Sequence, residues 1–479
     1  MLGGPIGTEE FCNSHTQERV EKATDILVAL GELPDPQVAL TLLRQCAAFS
    51  RLVYSLRVVP HRKHLQALKS YDCAVRDCVE LFMCCSFSDT EWSLACLSTK
   101  MGGLGLRSTK QHSPAAFLSS QLSCRELCKS LDPHYTQDQV DTLENISAAL
   151  IDYNNKVNQD QKLEVISEPP PRQQALSQAI DDHTLSEVKE VKENDIYFQA
   201  HINLTTASGA GSWLHAVPSK ALRTNVDPLL YRMMIQRWIR TPIFDADFHC
   251  SYCDTIIDRH GDHCLVCACG GDRTKRHNLL RNEVFFFCNS SGLSPELERQ
   301  GLLQPRPLDG CNQEDGSSRD ANANRRPADV YLPRWRRGIP AALDFTVTSG
   351  LRSNVVSRSA VDGSASTKDY EDFKRSYLST EALCQEEGIT FIPVICEADG
   401  GGWGPAAHKV WSELAKHKAL ASGEQDSTIV SRLLQSLGLI LHKENARAIL
   451  RRSPTYNGPD CRELLSASAV CGPIDQPIF

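Results

Sequence analysis

The chain has 479 residues, a formal charge of −8 and a hydrophobic fraction of 41%, values that fit a globular protein of two or three domains. The negative charge argues against a protein coated in nucleic acid, although the basic clusters at 273–281 and 325–337 could create local fields. No apolar run approaches the roughly 20 residues of a membrane span, and the first residues lack a secretory signal, so we expect a soluble chain with mostly reduced cysteines.

The first 153 residues are predicted to be helical. Val20, Ala23 and Leu27 recur at helical spacing and predict a helix over 9–33, which ends at the Gly and Pro residues of GELPDPQ. The same pattern predicts further helices over 38–56, 61–87 and 113–150.

Three motifs in the amino-terminal part of the chain are assigned structural roles. The segment CLSTKMGGLGLRS (96–108) lacks the Lys-Ser/Thr ending of a phosphate-binding loop, so we predict a tight turn. Asp181-Asp182 superficially resembles the paired aspartates of a polymerase palm. Its neighbours are polar and helical where that motif needs apolar strands, so we reject this interpretation.

Ser88 with Glu91 predicts an N-terminal helix cap.

A polar segment at 154–174 that ends in EPPPR is predicted to be a surface linker. A helical region follows over 175–248. It includes a helix over 227–240, whose large apolar residues we assign to the core.

The segment after residue 248 carries the ligand pattern of a small zinc site. Cys250 and Cys253 have the spacing that lets two thiolates face one cation, and His263 with Cys267 forms a second pair. Three further residues could replace the second pair: His260, Cys264 and Cys269. Four protein ligands leave no open position, so we expect a structural zinc knuckle that presents backbone contacts to nucleic acid. The alternative is a run of reduced thiols beside a turn.

A helix predicted at 274–289 begins with basic residues. His277 and Arg281 are four residues apart and share one face, and Arg276 precedes them. This row suits a phosphate backbone, which makes Arg276, His277 and Arg281 candidate nucleic-acid contacts. Solvated surface charge is the alternative.

Two aspartates in predicted strands form the candidate catalytic site. Asp329 lies in RRPADVYLP and Asp344 in ALDFTVTS, with WRRG (335–338) as the turn between them. A hydrophobic strand has little reason to hold an ionised aspartate unless it is paired or bound to a cation. The two could share a catalytic Mg²⁺, or they could cap a turn or pair with arginine. Glu298, at the end of a predicted strand over 293–298, is a candidate third acidic ligand, and 304–326 is predicted to be a flexible insertion.

The spacing of these acids also resembles a known pattern. PAD followed fifteen residues later by D-x-T is similar to the PD-(D/E)xK nuclease superfamily. Members usually carry a lysine two residues after the second acid, where this chain has Thr346. In one branch the lysine has moved to the next helix, which implies Lys374 as the catalytic lysine and Lys368 as the second choice. A lysine there could orient the water or stabilise charge on phosphate.

That branch is the restriction-like endonuclease of early-branching non-long-terminal-repeat retrotransposons. The order of short motifs along the chain resembles the carboxy-terminal part of those polyproteins: GDHCLVC, RHNLLR, RPADVYLP, ALDFTVTS, KRSY and FIPVICEADGGGWGPAA. LGGPIGTEEF and CLSTKMGGLGLRS resemble the segments that follow the polymerase palm.

The resemblance implies a function and partners. In this family the nuclease nicks target DNA to prime reverse transcription, so the implied partners are target DNA, element RNA and a separate polymerase palm, and the implied location is the nucleus. The family's polymerase aspartates lie upstream of the first residue, which implies a fragment or a decayed copy without DNA synthesis of its own. A zinc-containing nucleic-acid-binding remnant that does not cleave is the alternative, and a purely structural helical protein is the third hypothesis.

The predicted class is an α+β multidomain protein with an all-α amino-terminal region, a small zinc knuckle and a carboxy-terminal α/β restriction-endonuclease-like domain. The predicted segments are a thumb-like region (1–153), a linker (154–174), a helical linker region (175–248), the knuckle (249–270), the nuclease domain (271–420), and a last helix with a loose tail (421–479).

Overall fold

The computed structural model describes residues 3–132, 140–163, 171–304 and 327–454. Nearly all of the predicted insertion at 304–326, part of the linker at 154–174 and the tail from residue 455 lie outside these residues. The chain divides into two compact units, which are described separately below. Unit 1 comprises 1–194 and 217–232, and unit 2 comprises 195–216 and 233–479. The combination of helices with small sheets is consistent with the predicted α+β multidomain class.

Unit 1 is helical in the part that the structure describes. Its helices are α1 (Glu9–Gly31), α2 (Pro36–Leu42), α3 (Phe49–Val58), α4 (Leu65–Met83), α5 (Asp89–Cys96), α6 (Thr109–Leu131), α7 (Val140–Asn154) and α8 (Gln173–Val191). The single helix predicted over 38–56 is wrong. A π-helical turn over Leu43–Ala47 and the non-helical backbone of Ala48 (φ −93°, ψ −127°) separate α2 from α3. The helix predicted to reach residue 87 ends at Met83, because Cys84 adopts a left-handed conformation (φ 56°).

The predicted helix cap at Ser88 and the predicted tight turn at 96–108 both form. Ser88 and Glu91 form a reciprocal capping box at the start of α5. In the glycine-rich segment, a Cβ on Gly103 would lie 2.1 Å from the carbonyl oxygen of Leu97, so only glycine fits this close turn.

Asp181 lies within α8, where its carboxylate is buried. The guanidinium of Arg107 lies 2.9 Å and the imidazole of His112 3.3 Å from its oxygens. This pairing gives Asp181 a structural role, in agreement with the rejection of a polymerase motif.

Unit 2 combines helices with a four-stranded sheet. Its helices are α9 (Ile196–Thr205), the end of α10 (Pro228–Ile239), α11 (Asp262–Val266), α12 (Asp272–Ser290), α13 (Val356–Ser359), α14 (Ala365–Ser376), α15 (Thr380–Glu386), α16 (Pro405–Ser422) and α17 (Asp426–Leu450). A two-stranded ribbon joins β1 (Phe248–His249) to β2 (Ile256–Ile257). The larger sheet has the order β3 (Glu296–Leu297), β4 (Val330–Arg336), β5 (Ile339–Thr348) and β6 (Thr390–Glu397). Its first two pairings are antiparallel and β5 pairs with β6 in parallel.

The two faces of this sheet bury different clusters. Leu343 and Phe345 join a large core with residues of α12, α16 and α17, including Val284, Trp411 and Leu437. Ala342 and Tyr331 point to the opposite face, where Cys384 and Phe391 pack. Side chains alternate along a strand, so Asp344 shares the face of Ala342. Because α17 contributes to the large core, it packs with the sheet despite the segment boundary predicted at residue 420.

Among the described residues, no helix has the length and apolarity required to cross a bilayer. The large apolar residues of the predicted 227–240 helix are buried, as expected for core positions: Leu230, Met233, Met234 and Trp238.

Candidate metal and carboxylate sites

Asp329 and Asp344 are neighbours where β4 begins. Val330, the first residue of β4, pairs with Leu343, and the backbone N–H of Asp329 donates to the carbonyl of Leu343 at 2.9 Å. Asp329 itself precedes the strand. The negative charge of Asp329 acts to raise the pKa of Asp344, so the two carboxylates lie within electrostatic reach of each other. Asp344 lies on the face of the sheet that α14 and α15 cover.

Helix α14 brings Lys374 to this pair. The Lys374 ammonium lies 2.8 Å from Oδ2 of Asp344, and the two side chains are only 24% and 20% exposed. Lys368, the second candidate from the sequence, instead pairs with Asp362 at 3.1 Å on the surface. The structure therefore brings Lys374, and not Lys368, to the carboxylates.

The two aspartates have different environments. Burial raises the pKa of Asp344 above its usual range, although the Lys374 ammonium opposes the shift. Burial also acts to raise the pKa of Asp329, but the imidazole of His277 and the N–H of Phe345 outweigh it, and the pKa is lowered. The Phe345 N–H donates to Oδ2 of Asp329 at 2.7 Å. Asp329 is thus stabilised as a carboxylate, while Asp344 is protonated more readily.

His277 belongs to the carboxylate site. Its Nε2 lies 3.3 Å from Oδ2 of Asp329 and 3.1 Å from the carbonyl oxygen of Phe345, and its Nδ1 lies 3.1 Å from Oδ1 of Asn278. Burial opposes the charged imidazole, but these oxygen partners, led by Asp329, raise the pKa of His277. The sequence predicts a phosphate-binding row for His277 and does not predict this contact, which depends on how α12 packs against the sheet.

The other basic residues of that row have internal partners. Arg276 is only 4% exposed, and its guanidinium donates to Oδ1 of Asn445 at 2.6 Å and to the carbonyl of Leu265 at 2.8 Å. Arg281 is also buried and pairs with the carboxylate of Glu298. Both guanidinium groups are therefore engaged inside unit 2 and are not displayed on its surface.

Glu298 contacts Asp329 through its backbone. Its N–H donates to the carbonyl of Asp329 at 3.0 Å, just beyond β3. Its carboxylate accepts from Arg281.

The predicted zinc ligands converge in space. The ligand atoms of Cys250, Cys253, His263 and Cys267 all lie within 4.8 Å of one another. The β1–β2 turn carries the first pair and α11 with its end carries the second. Three sulfurs and one imidazole at this spacing have the chemistry of a closed, tetrahedral zinc site. The four residues could thus bind one zinc ion, as the sequence predicts.

Local hydrogen bonds favour metal binding at this cluster. The side chain and the N–H of Thr255 lower the pKa of the Cys253 thiol to about 6, and zinc binds thiolates rather than thiols. Two alternative ligands lie outside the cluster: Cys264, which is buried, and His260, which is half-buried. Cys269 is exposed and is also outside it.

The cluster is connected to the rest of unit 2 by buried arginines. Arg237 and Arg240 both bond to Asp262, the first residue of α11, at 3.0 Å. Arg452 donates to the carbonyl of Cys269 at 2.9 Å. The ligand-bearing segment is therefore fixed to α10, α12 and the end of α17.

Neither a scan of protein-family models nor a search of curated proteins found a match for the chain. The function must therefore be argued from the site itself. Its components are two neighbouring carboxylates, an ammonium, an imidazole and a nearby cluster suited to zinc.

Proposed function

We propose that the chain is a Mg²⁺-dependent DNA endonuclease that nicks target DNA, with a restriction-endonuclease-like domain in unit 2 and a structural zinc knuckle. The observation that carries this proposal is the proximity of Asp329, Asp344 and Lys374: Lys374 pairs with Asp344, and its charge also acts on Asp329. Two carboxylates and one ammonium are the groups that metal-assisted phosphodiester hydrolysis requires. The resemblance to the retrotransposon endonuclease rests on the same residues.

The donor set suits magnesium. Carboxylate oxygens are the protein ligands that Mg²⁺ favours, and the Lys374 ammonium already occupies a position where positive charge is stabilised. The chemistry such a cation supplies is polarisation of the scissile phosphate and activation of the attacking water.

The chain's own residues have separate tasks in this proposal. Asp329 is held in one orientation by the Phe345 N–H and by His277, which preorganises an oxygen ligand. Lys374 donates to the attacking water or to a phosphate oxygen once a cation has taken its place at Asp344. His277 acts as a positioning residue through Asp329.

Binding without cleavage is the alternative that the same experiment distinguishes. Supercoiled plasmid is incubated with the full chain and Mg²⁺, and the open-circular form is quantified. The proposal expects nicking by the wild type and by Lys368→Ala, and loss of nicking by Asp344→Asn and Lys374→Ala. Plasmid that is bound by the wild type but stays supercoiled would contradict the nuclease and favour a nucleic-acid-binding remnant.

The proposed partners are target DNA and element RNA, with polymerase activity supplied by a separate palm, and the proposed location is the nucleus. These partners follow from the resemblance, and a plasmid experiment without nicking would contradict them together with the nuclease.

A further inference from the structure

The hairpin between β4 and β5 carries a concentrated positive charge at its tip. Three arginines lie within four positions, Arg334, Arg336 and Arg337, and all three are exposed. Arg336 pairs with Glu413 at 2.7 Å. Among the described residues, Arg334 and Arg337 have no acidic partner within ion-pair distance. Two guanidinium groups at one end of the sheet are thus available to an anionic ligand.

The tip has a defined backbone. Arg336 pairs with Ile339, so Arg337 and Gly338 form a two-residue turn with φ values of 53° and 79°. Two successive positive φ angles are typical of the type I′ turn that matches the twist of a hairpin. Trp335 is 5% exposed and anchors β4 in the large core. The arginines are therefore displayed by a fixed turn.

This turn joins β4 to β5, the strand that carries Asp344. Arg337 precedes Asp344 by seven residues, of which those from Ile339 onward lie in β5, so the separation is at most about 23 Å at the rise of an antiparallel strand. Arg299 lies along this path: its guanidinium is 4.7 Å from the ring centre of Tyr331, which pairs with Ala342. At 3.4 Å per base pair, this separation spans up to roughly 7 base pairs of duplex. The spacing fits a linear anion with regularly repeated charge.

We propose that the β4–β5 hairpin tip is a second contact for duplex DNA, with Arg334 and Arg337 binding phosphates within about 7 base pairs to one side of the nick. This inference rests on the proposed function, because the nick defines the distance. Arginine suits this task since its planar guanidinium matches phosphate geometry. The contact makes no use of base edges, so it adds affinity and orientation without sequence preference.

The first experiment measures binding of a labelled duplex by fluorescence anisotropy over a range of KCl concentrations. Each phosphate contact contributes about 0.9 to the slope of log K against log salt, so Arg334→Gln with Arg337→Gln should reduce the slope by about 2. Arg358→Gln with Arg432→Gln is the matched control, because it removes the same charge from arginines that are paired with Asp369 and Glu424. An unchanged slope in the hairpin variant overturns the proposal.

The second experiment shortens the duplex on either side of the nick. For the wild type, shortening one arm below about 7 base pairs should weaken binding to the level of the hairpin variant, and the hairpin variant should not respond to the same shortening. Equal binding of single strands and duplexes, or equal length dependence in both proteins, would contradict a duplex contact.

The two proposals fail separately. A chain that nicks plasmid, with a hairpin variant that keeps the wild-type salt slope and length dependence, refutes the hairpin contact alone. A chain that never nicks but loses its salt slope in the hairpin variant refutes the nuclease and retains the duplex contact. Absence of any DNA binding refutes both.

Discussion

The ammonium of Lys374 lies 2.8 Å from Oδ2 of Asp344, a carboxylate that also experiences the negative charge of Asp329. Burial of Asp344 raises its pKa and so favours the protonated form, whereas the ion pair with Lys374 stabilises the carboxylate. A divalent cation that bound Asp344 would therefore compete with the Lys374 ammonium for this carboxylate.

This competition separates the roles of the two residues. Lys374→Met should abolish nicking but retain Mg²⁺ binding, or tighten it, because the competing charge is gone. Asp344→Asn should lose both. Calorimetric titration of Mg²⁺ together with plasmid nicking measures the two properties. Weaker Mg²⁺ binding in Lys374→Met than in the wild type would contradict the competition.

His277 is predicted to hold Asp329 in place through its Nε2–H. His277→Ala should reduce nicking by roughly tenfold to a hundredfold, since a lost supporting contact typically costs that much. His277→Gln, which offers an N–H of similar reach, should recover part of the activity. Glu298→Gln is the matched comparison, because its carboxylate bonds to Arg281, and it should cost less than His277→Ala. Equal losses in His277→Gln and His277→Ala would refute a positioning role.

The sequence predicted those parts of the site that depend on local spacing. Cys250 and Cys253 lie on one turn between β1 and β2. The strands on either side of WRRG form the predicted hairpin, although its turn is only Arg337 and Gly338 because β4 continues through Arg336. These arrangements need only a few residues and one known geometry, so the pattern was sufficient.

The contacts that the sequence did not predict depend on long-range packing. Arg276 and His277 are neighbours on α12, but one is buried against Asn445 and the other against Asp329, because adjacent helical residues point about 100° apart. Which face of α12 meets the sheet depends on residues more than fifty positions away. Likewise, only the docking of α14 distinguishes Lys374 from Lys368.

Zinc removal is predicted to affect the start of α12 as well as the knuckle. Arg276 bonds to the carbonyl of Leu265 in α11, so loss of metal at His263 and Cys267 should loosen the helix that carries His277. Cys253→Ser should lose stoichiometric zinc by elemental analysis and show faster hydrogen exchange at the start of α12. Cys269→Ser is the control, since Cys269 lies outside the ligand cluster. Zinc loss in Cys269→Ser, or unchanged exchange in Cys253→Ser, would contradict the link.

Asp272 is predicted to be a strong contributor to the stability of unit 2. Its carboxylate pairs with Arg447, Arg451 and Arg452 at 2.6–2.7 Å, and its side chain is 4% exposed. Asp272→Asn leaves the fully buried guanidinium of Arg452 without a carboxylate, although Arg447 keeps its pair with Glu444. The loss should lower the free energy of unfolding by about 3–5 kcal/mol. Asp362→Asn breaks an exposed pair with Lys368 and should cost less than about 1 kcal/mol. Urea denaturation followed by circular dichroism compares the two, and similar costs would be inconsistent with the buried network.

His442 is predicted to make the fold sensitive to acid. Burial lowers its pKa to about 3, where it packs against Trp213 with ring centres 4.8 Å apart. The unfolded chain regains an ordinary pKa near 6.5. As pH falls from about 6.5 towards 3, the unfolded state therefore binds a proton that the fold excludes, and the free energy of unfolding should fall by up to about 1.4 kcal/mol per pH unit.

His442→Gln removes this proton and should flatten the pH dependence between pH 6 and pH 5 by about that amount, even though loss of ring packing lowers stability at every pH. His417→Gln, a partly buried histidine on α16, is the control and should keep the wild-type slope. Urea unfolding at pH 7.5, 6 and 5 provides the slopes. If His442→Gln and the wild type lose stability equally over this range, the histidine is not the group that excludes the proton, and its burial between Trp213 and Trp238 serves packing alone.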